Sequence, residues 1–415
     1  MKDFLDFLNG TPTPCQVLSE LENELLNAGG KEITLSEIKS ASREGYYYIN
    51  FADSCLAAFY IGKKAKTLKI GAAHTDYPVL KVKTVGLRGG SGLLRMNVEA
   101  YGGLIHHSWL DRPLKLAGRV YYNDGSGIGF RDTADLGPRF IIPDAAIHLN
   151  RQINDGAKYS VQNQLLPIFG ADNGNPDALC ELIGAKLGIS KESILSFDLS
   201  LVTAEPAGFA GAADEFTVAQ GLDDRAMIYS LFSGFLAASP SDDAISVAFA
   251  FNNEECGSQT IGGARSVFVS ELVKTLAESF CGGHYLDVCR QSIVLSADMA
   301  HGVHPSYPDL GDSASPVYLG KGIALKSSAN QTYVSEGSSK AYFVKLCRDN
   351  NIPFQIYYNN SDIRGGSTIG PMLAAELGIP VCDIGTPTLA MHAAAEVESC
   401  EDQRTADLLF EKFFG

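Results

Sequence analysis

The run FNNEECGS, residues 251 to 258, sets two glutamates, Glu254 and Glu255, side by side after the apolar stretch AISVAFAF. Like charges on neighbours are a poor close for a buried strand, because burying an unpaired carboxylate is costly. A cation resolves the conflict. One carboxylate of the pair binds a metal ion, whose charge offsets the repulsion, and the other stays free to take a proton from a metal-bound water. Ligand-type residues follow other apolar runs in the same manner. His74-Thr75-Asp76 follows TLKIGAA, Asp298 follows SIVLSA, His392 follows IPVCDIGTPTLAM, and Asp223-Asp224 precede the helix-like RAMIYSLF. Singly, each has an ordinary explanation: a lone histidine is usually satisfied within the fold, and an aspartate at a helix start usually caps it. Together, two histidines and three carboxylates suit a pair of zinc-like ions, with one carboxylate bridging them at roughly 3.5–4 Å. His74 and Asp76 share one face of an extended segment, so Asp76 can orient the imidazole.

These residues need elements to position them. TPTPCQVLSELENELLNAGG predicts a helix. Thr13 caps it, Pro14 suits its first turn, and Gly29-Gly30 stop it. Val17, Leu18, Leu21, Leu25 and Leu26 form its apolar face. CLAAFYIG and TLKIGAAH read as strands. From about residue 82 to 201 the character changes to short β-like runs between the turn clusters GLRGGSG, YYNDGSGIG and DNGNP. Asn123-Asp124-Gly125 predicts a hairpin turn there. After about residue 210 strands and helices alternate again. RAMIYSLFSGFLAAS, STIGPMLAAELG and EDQRTADLLFEKFF read as helices; AISVAFAFN, SIVLSAD, PFQIYY and IPVCDIG read as buried strands. The simplest organisation is one α/β domain in two pieces with a β-rich domain inserted. In open α/β sheets ligands bind outside the carboxyl ends of the strands, which is where the ligand-type residues fall.

The bulk properties exclude other classes. The chain has 415 residues, 45% hydrophobic and 20% charged, as in ordinary globular proteins. A net charge of −15 without a basic stripe excludes nucleic acid and an anionic membrane surface as partners. The nine cysteines are scattered with no CxxC, among them Cys15, Cys55, Cys281 and Cys382, and read as reduced thiols. The start MKDFLDFLNG has acids where a signal peptide has bases, and no run approaches the roughly 20 apolar residues of a membrane span. The expectation is a cytoplasmic protein. GSGIG lacks the lysine of a phosphate loop. His301 and His304 in AHGVHP read as loop residues. Cys256 is not needed as a nucleophile where a metal activates water.

FLNGTPTP, AAHTDYPVLKVK, YGGLIHHSWLDRPLKLAGRV, AIHLNRQIN, GLDDR, FNNEECGS, SADMAHGVHPSY, GGSTIGPMLAAELGIP and DIGTPTLAMHA, in this order, cover nearly the whole chain. Together they resemble the aspartyl aminopeptidase family of cocatalytic dinuclear zinc metallopeptidases. The resemblance implies a mixed-sheet α/β metallopeptidase catalytic domain in two parts, 1–81 and 205–415, with an inserted β-rich dimerisation domain at 82–204. It implies two divalent metal ions per subunit, zinc in the family. His74, Asp223 and Asp298 would hold one ion, and Asp223, Glu255 and His392 the other, so that Asp223 bridges. Glu254 falls at the general base and Asp76 at the aspartate that orients a ligand. His148, in AIHLNR, falls at the histidine that reaches a neighbouring subunit's active site, in dimers assembled to a dodecamer.

The implied reaction removes amino-terminal residues, acidic ones (Asp or Glu), from peptides through a metal-bridging water. That preference implies a basic pocket group, matched by Lys326 in GIALKSSANQTY. The sequence departs from the family pattern at Asp224, where Asn is usual, and at His106-His107, which replace an aromatic and a small polar residue. It departs also at Arg364 in SDIRGGST, near the expected substrate pocket, where relatives carry an uncharged residue. These departures leave the metal set intact and keep a neutral or broad-specificity aminopeptidase open as an alternative. A non-catalytic shell or cargo protein on the same fold is a further alternative, against which the full ligand set and Glu254 argue.

Overall fold

The computed structural model describes residues 3–415. Four strands, Ala244–Phe251, Thr67–His74, Ile293–Ala297 and Val381–Gly385, run parallel and side by side at the centre of a nine-stranded mixed sheet. They are nearly unbroken apolar runs because both faces are covered, as parallel sheets require. On one face Leu56, Ala58, Leu295 and Ile384 pack with the helices Leu222–Ala237 and Cys400–Phe414. On the other, Phe59, Ile70, Val247 and Phe249 pack with Val267–Leu276 and Gly370–Leu377. At Gly71 a methyl group would fall 2.3 Å from Leu231 Cδ1, so the bare backbone is what lets the helix lie against the sheet.

A second sheet has six strands, all antiparallel: Ile128–Thr133, Leu114–Asn123, Ile194–Thr203, Val79–Gly90, Leu93–Tyr101 and Ile168–Ala171, in spatial order. It has its own core around Trp109, Leu116 and Leu199. The turn after Asn123 is held by Asp124, whose Oδ1 accepts the N–H groups of Ser126 and Gly127, each at 2.8 Å. A third sheet of five short strands stands beside the main one and includes Glu396–Ser399, Pro387–Leu389 and Ala300–His301. The architecture is the mixed α/β class that the sequence predicts, a central mixed sheet with a separate antiparallel one. No helix of the described residues is long and apolar enough to cross a membrane.

Three local expectations differ from the structure. PFQIYY forms the strand Phe354–Tyr357 at the edge of the main sheet, paired on one side only, and Ile356 is 40% exposed. A short apolar run cannot by itself distinguish a central strand from an edge. In the helix Pro14–Asn27, Val17, Leu18, Leu21 and Leu25 are buried, but Leu26 is 54% exposed at the margin of the stripe. Thr13 does precede this helix, yet its hydroxyl bonds the side chain of Gln16 instead of a backbone amide.

Candidate active site

The register of the central strands gathers the ligand-type residues. Phe251 pairs with His74, so both strands end at one level, and Glu254 and Glu255 follow in a short turn. Asp298 follows the next strand, Ile293–Ala297. Asp223 lies at the start of Leu222–Ala237 with non-helical backbone, which frees its side chain from the helix face.

Asp223 stands at the centre. Its Oδ1 is 3.6 Å from His74 Nε2 and its Oδ2 is 3.3 Å from His392 Nε2. His392 Nε2 is also 3.1 Å from Glu255 Oε1, and His74 Nε2 is 4.0 Å from Asp298 Oδ2. Asp223, Glu255 and His392 thus bring three ligand atoms within 4.8 Å of one another. His74 forms a second such group with Asp223 and Asp224, and Asp298 lies beside it. The rest of the Asp224 side chain is buried, its Oδ2 accepting the backbone N–H of His74 at 3.1 Å.

Two buried carboxylates hold this arrangement from behind. Asp76 Oδ1 accepts the backbone N–H of Glu254 and its Oδ2 that of Glu255, each at 3.1 Å. Its backbone carbonyl accepts from His74 Nδ1 at 2.9 Å, leaving Nε2 to face Asp223. Glu396 does the same for the other half: Oε2 accepts the N–H of Asp223 at 3.0 Å and Oε1 that of His392 at 2.6 Å. Sequence reasoning missed Glu396. Its signal is an acidic residue four places after His392 in the otherwise strand-like EVES.

Electrostatics sort the pair that opened the question. Burial, reinforced by the charges of Asp298, Glu255 and Asp76, outweighs the opposing charge of His74 and pushes the Glu254 carboxyl up to about 8. Burial alone would lower His392; the carboxylates of Asp223 and Glu255 overcome it and raise it to about 11. Asp223 Oδ1 is buried without a hydrogen-bond partner. An orphaned carboxylate oxygen facing an imidazole nitrogen suits a divalent cation, and ligand atoms 3.1–4.0 Å apart fit ions roughly 2.0–2.2 Å from each.

Lys326 reaches the site without opening onto it. It is 2% exposed, and its Nζ donates to Asp298 Oδ1 at 2.9 Å and to the carbonyls of Asp298 and Met299 at 2.7 and 3.0 Å. Arg364 is exposed and lines a cavity of about 360 Å³ with His301, His304, Asp312 and Met391. Met391 precedes His392, and His301 stands near enough to Asp223 and Asp298 to feel their charges, so the cavity adjoins the cluster. The loop reading of His301 and His304 overlooked their place in this wall. His148 lies apart, in an exposed turn, with no hydrogen bond or ion pair to the cluster among the described residues; its neighbours Ile147 and Leu149 are 47% and 85% exposed.

A family model described as "Aminopeptidase I zinc metalloprotease (M18)" matches residues 7–414. The chain is 35% identical over 426 residues to a probable M18 family aminopeptidase 2 of Clostridium acetobutylicum, covering 100% of this chain and 98% of that protein. It is 35% identical over 420 residues to its counterpart in Borreliella burgdorferi, covering 100% and 97%. Among solved structures, Ape4 in its complex with Nbr1 superposes with a TM-score of 0.95 at 30% identity, over 99% of this chain and 84% of that one. The mApe1 dodecamer of S. cerevisiae gives 0.86 at 24% identity, over 99% and 95%, which is a likeness of fold.

Proposed function

The chain belongs to the aminopeptidase I zinc metalloprotease (M18) family, and on that premise we propose that this peptide-bond hydrolase removes acidic amino-terminal residues from peptides at a site for two divalent ions. The observation that carries this reading is Asp223, whose two oxygens each face a different histidine. His74, Asp223 and Asp298 would hold one ion, and Asp223, Glu255 and His392 the other. The ions, zinc by family, supply Lewis acidity that polarises a carbonyl and lowers the pKa of water.

The chain's own residues do the rest. Glu254 has no place in either of these ligand sets, and its carboxylate, next to that of Glu255 and held by the same aspartate, is placed to take a proton from the attacking water and return it to the leaving amine. Asp76 keeps Glu254 and Glu255 in place and orients His74; Glu396 does so for Asp223 and His392. Arg364 at the cavity supports a preference for an acidic side chain; Lys326, buried and paired with Asp298, is not free to meet one. His148, from the β-rich domain of a partner subunit, completes the site, in dimers that build a dodecamer like that of the S. cerevisiae relative. Buried thiols at Cys55, Cys289, Cys347 and Cys382 fit a reducing, cytoplasmic setting.

The test is hydrolysis of a series of peptides differing only in the amino-terminal residue, with and without a chelator and with zinc restored. Turnover that is abolished by chelation and highest for Asp or Glu supports the reading. Equal rates for Leu and Ala would make it a broad-specificity aminopeptidase, and no metal-dependent turnover of any peptide would leave a protein that has kept only the fold.

A further inference from the structure

The inserted six-stranded sheet reaches the site of its own chain. The strand Leu93–Tyr101 ends at Tyr101, and Gly102-Gly103 follow. The Tyr101 hydroxyl donates to Asp76 Oδ2 at 2.5 Å and accepts from Asn253 Nδ2 at 3.0 Å. Asp76 is the residue whose two oxygens accept the N–H groups of Glu254 and Glu255. The ring is held in turn by Lys81, whose Nζ lies 4.4 Å from its centroid. Gly102 adopts φ +71°, and a Cβ there would meet Glu255 Cβ at 3.1 Å. The Gly103 carbonyl accepts from His392 Nδ1 at 3.1 Å, which fixes the tautomer that turns Nε2 toward Glu255 and Asp223. Three consecutive residues of the insert therefore touch the aspartate behind the base, one metal-type ligand and the histidine opposite.

We propose that Tyr101 is a positioning residue for the hydrolysis, its hydroxyl fixing through Asp76 where the Glu254 and Glu255 carboxylates stand. The inference rests on the reading of Glu254 as general base. Loss of the hydroxyl leaves Asp76 Oδ2 with one donor fewer and Asn253 without its acceptor, so the turn bearing both glutamates gains freedom. Catalysis is sensitive to such displacement, since misplacement by about 1 Å can cost on the order of 10²-fold. The ring and its packing are not what matters: the phenolic hydrogen bond is.

Tyr101→Phe keeps the ring and tests the hydroxyl alone. The expected result is a kcat lower by about tenfold or more, with KM, the thermal midpoint and zinc retained against a competing chelator all close to the parent. In an Asp76→Asn background the same substitution is expected to cost little further, because the hydroxyl acts only through Asp76. Parent-like kcat in Tyr101→Phe, losses that multiply with those of Asp76→Asn, or a loss matched by lost zinc or lost stability would each overturn the positioning role. Glu254→Gln measured alongside separates the two levels. If it is inactive while Tyr101→Phe is unimpaired, only the positioning role fails; if it is fully active, the reading of the base fails and the inference with it.

Discussion

The Lys326 ammonium sits 2.9 Å from Oδ1 of Asp298, and both residues are buried. A lysine so engaged supports a metal-type ligand and is not free to meet a substrate side chain. Removing one partner of a buried pair leaves the other uncompensated, typically at about 3–5 kcal/mol. Lys326→Met is therefore expected to weaken zinc retention and to lower turnover of every peptide. Arg364→Ala, at the exposed wall of the cavity, is expected to keep its zinc and lose discrimination between acidic and neutral amino-terminal residues. Chelator competition and KM across the peptide series check both. Parent-like zinc retention in Lys326→Met would show that Asp298 does not depend on it.

Asp223 faces both histidines, so its loss touches both halves of the cluster. Asp223→Ala is expected to remove nearly all bound metal, whereas His74→Ala and His392→Ala each lose mainly one ion. Metal analysis of the three purified variants decides the matter. An equal, partial loss in all three would contradict the bridge.

Most of the metal-type cluster was legible in the sequence because His74, Glu255 and Asp298 follow apolar runs that became central strands and Asp223 opens a helix. What holds the cluster was not legible. Tyr101 and Glu396 act through hydrogen bonds to groups distant in sequence or to backbone N–H groups, which leave no spacing to read. The burial of Lys326 depends on Ile323–Lys326 lying between Val381–Gly385 and the edge strand, a fact of sheet order alone. Ile356 carries the same lesson in reverse, since its apolar run gave no sign of an open edge.

His148 makes no hydrogen bond or ion pair with its own chain's cluster among the described residues, and the exposed apolar residues beside it suit an interface. Mixing inactive Glu254→Gln with inactive His148→Ala under subunit exchange is expected to restore part of the activity. Some mixed pairs then join an intact base to an intact partner histidine. No recovery, with exchange demonstrated by mass, would mean that His148 serves no neighbouring site.

Glu398 lies fully buried on the strand Glu396–Ser399. Burial pushes its carboxyl up to about 8, and the Thr386 hydroxyl only reduces that rise. A folded-state pKa above the unfolded value of about 4.3 contributes stability that is complete below that pH and lost as pH climbs through about 8. Glu398→Gln, which cannot ionise, is expected to flatten the fall in thermal midpoint between about pH 4 and pH 8. Parallel curves for parent and variant would show that Glu398 does not govern this dependence.

Glu254 is the carboxylate proposed as general base, not ligand, and its replacement probes the chemistry most directly. The measurement is the kcat of Glu254→Gln in protein shown by metal analysis to hold the same complement as the parent. The expected result is full metal content with turnover reduced by about 10²–10⁴-fold. Near-parent turnover by the fully loaded variant would contradict Glu254 as the general base.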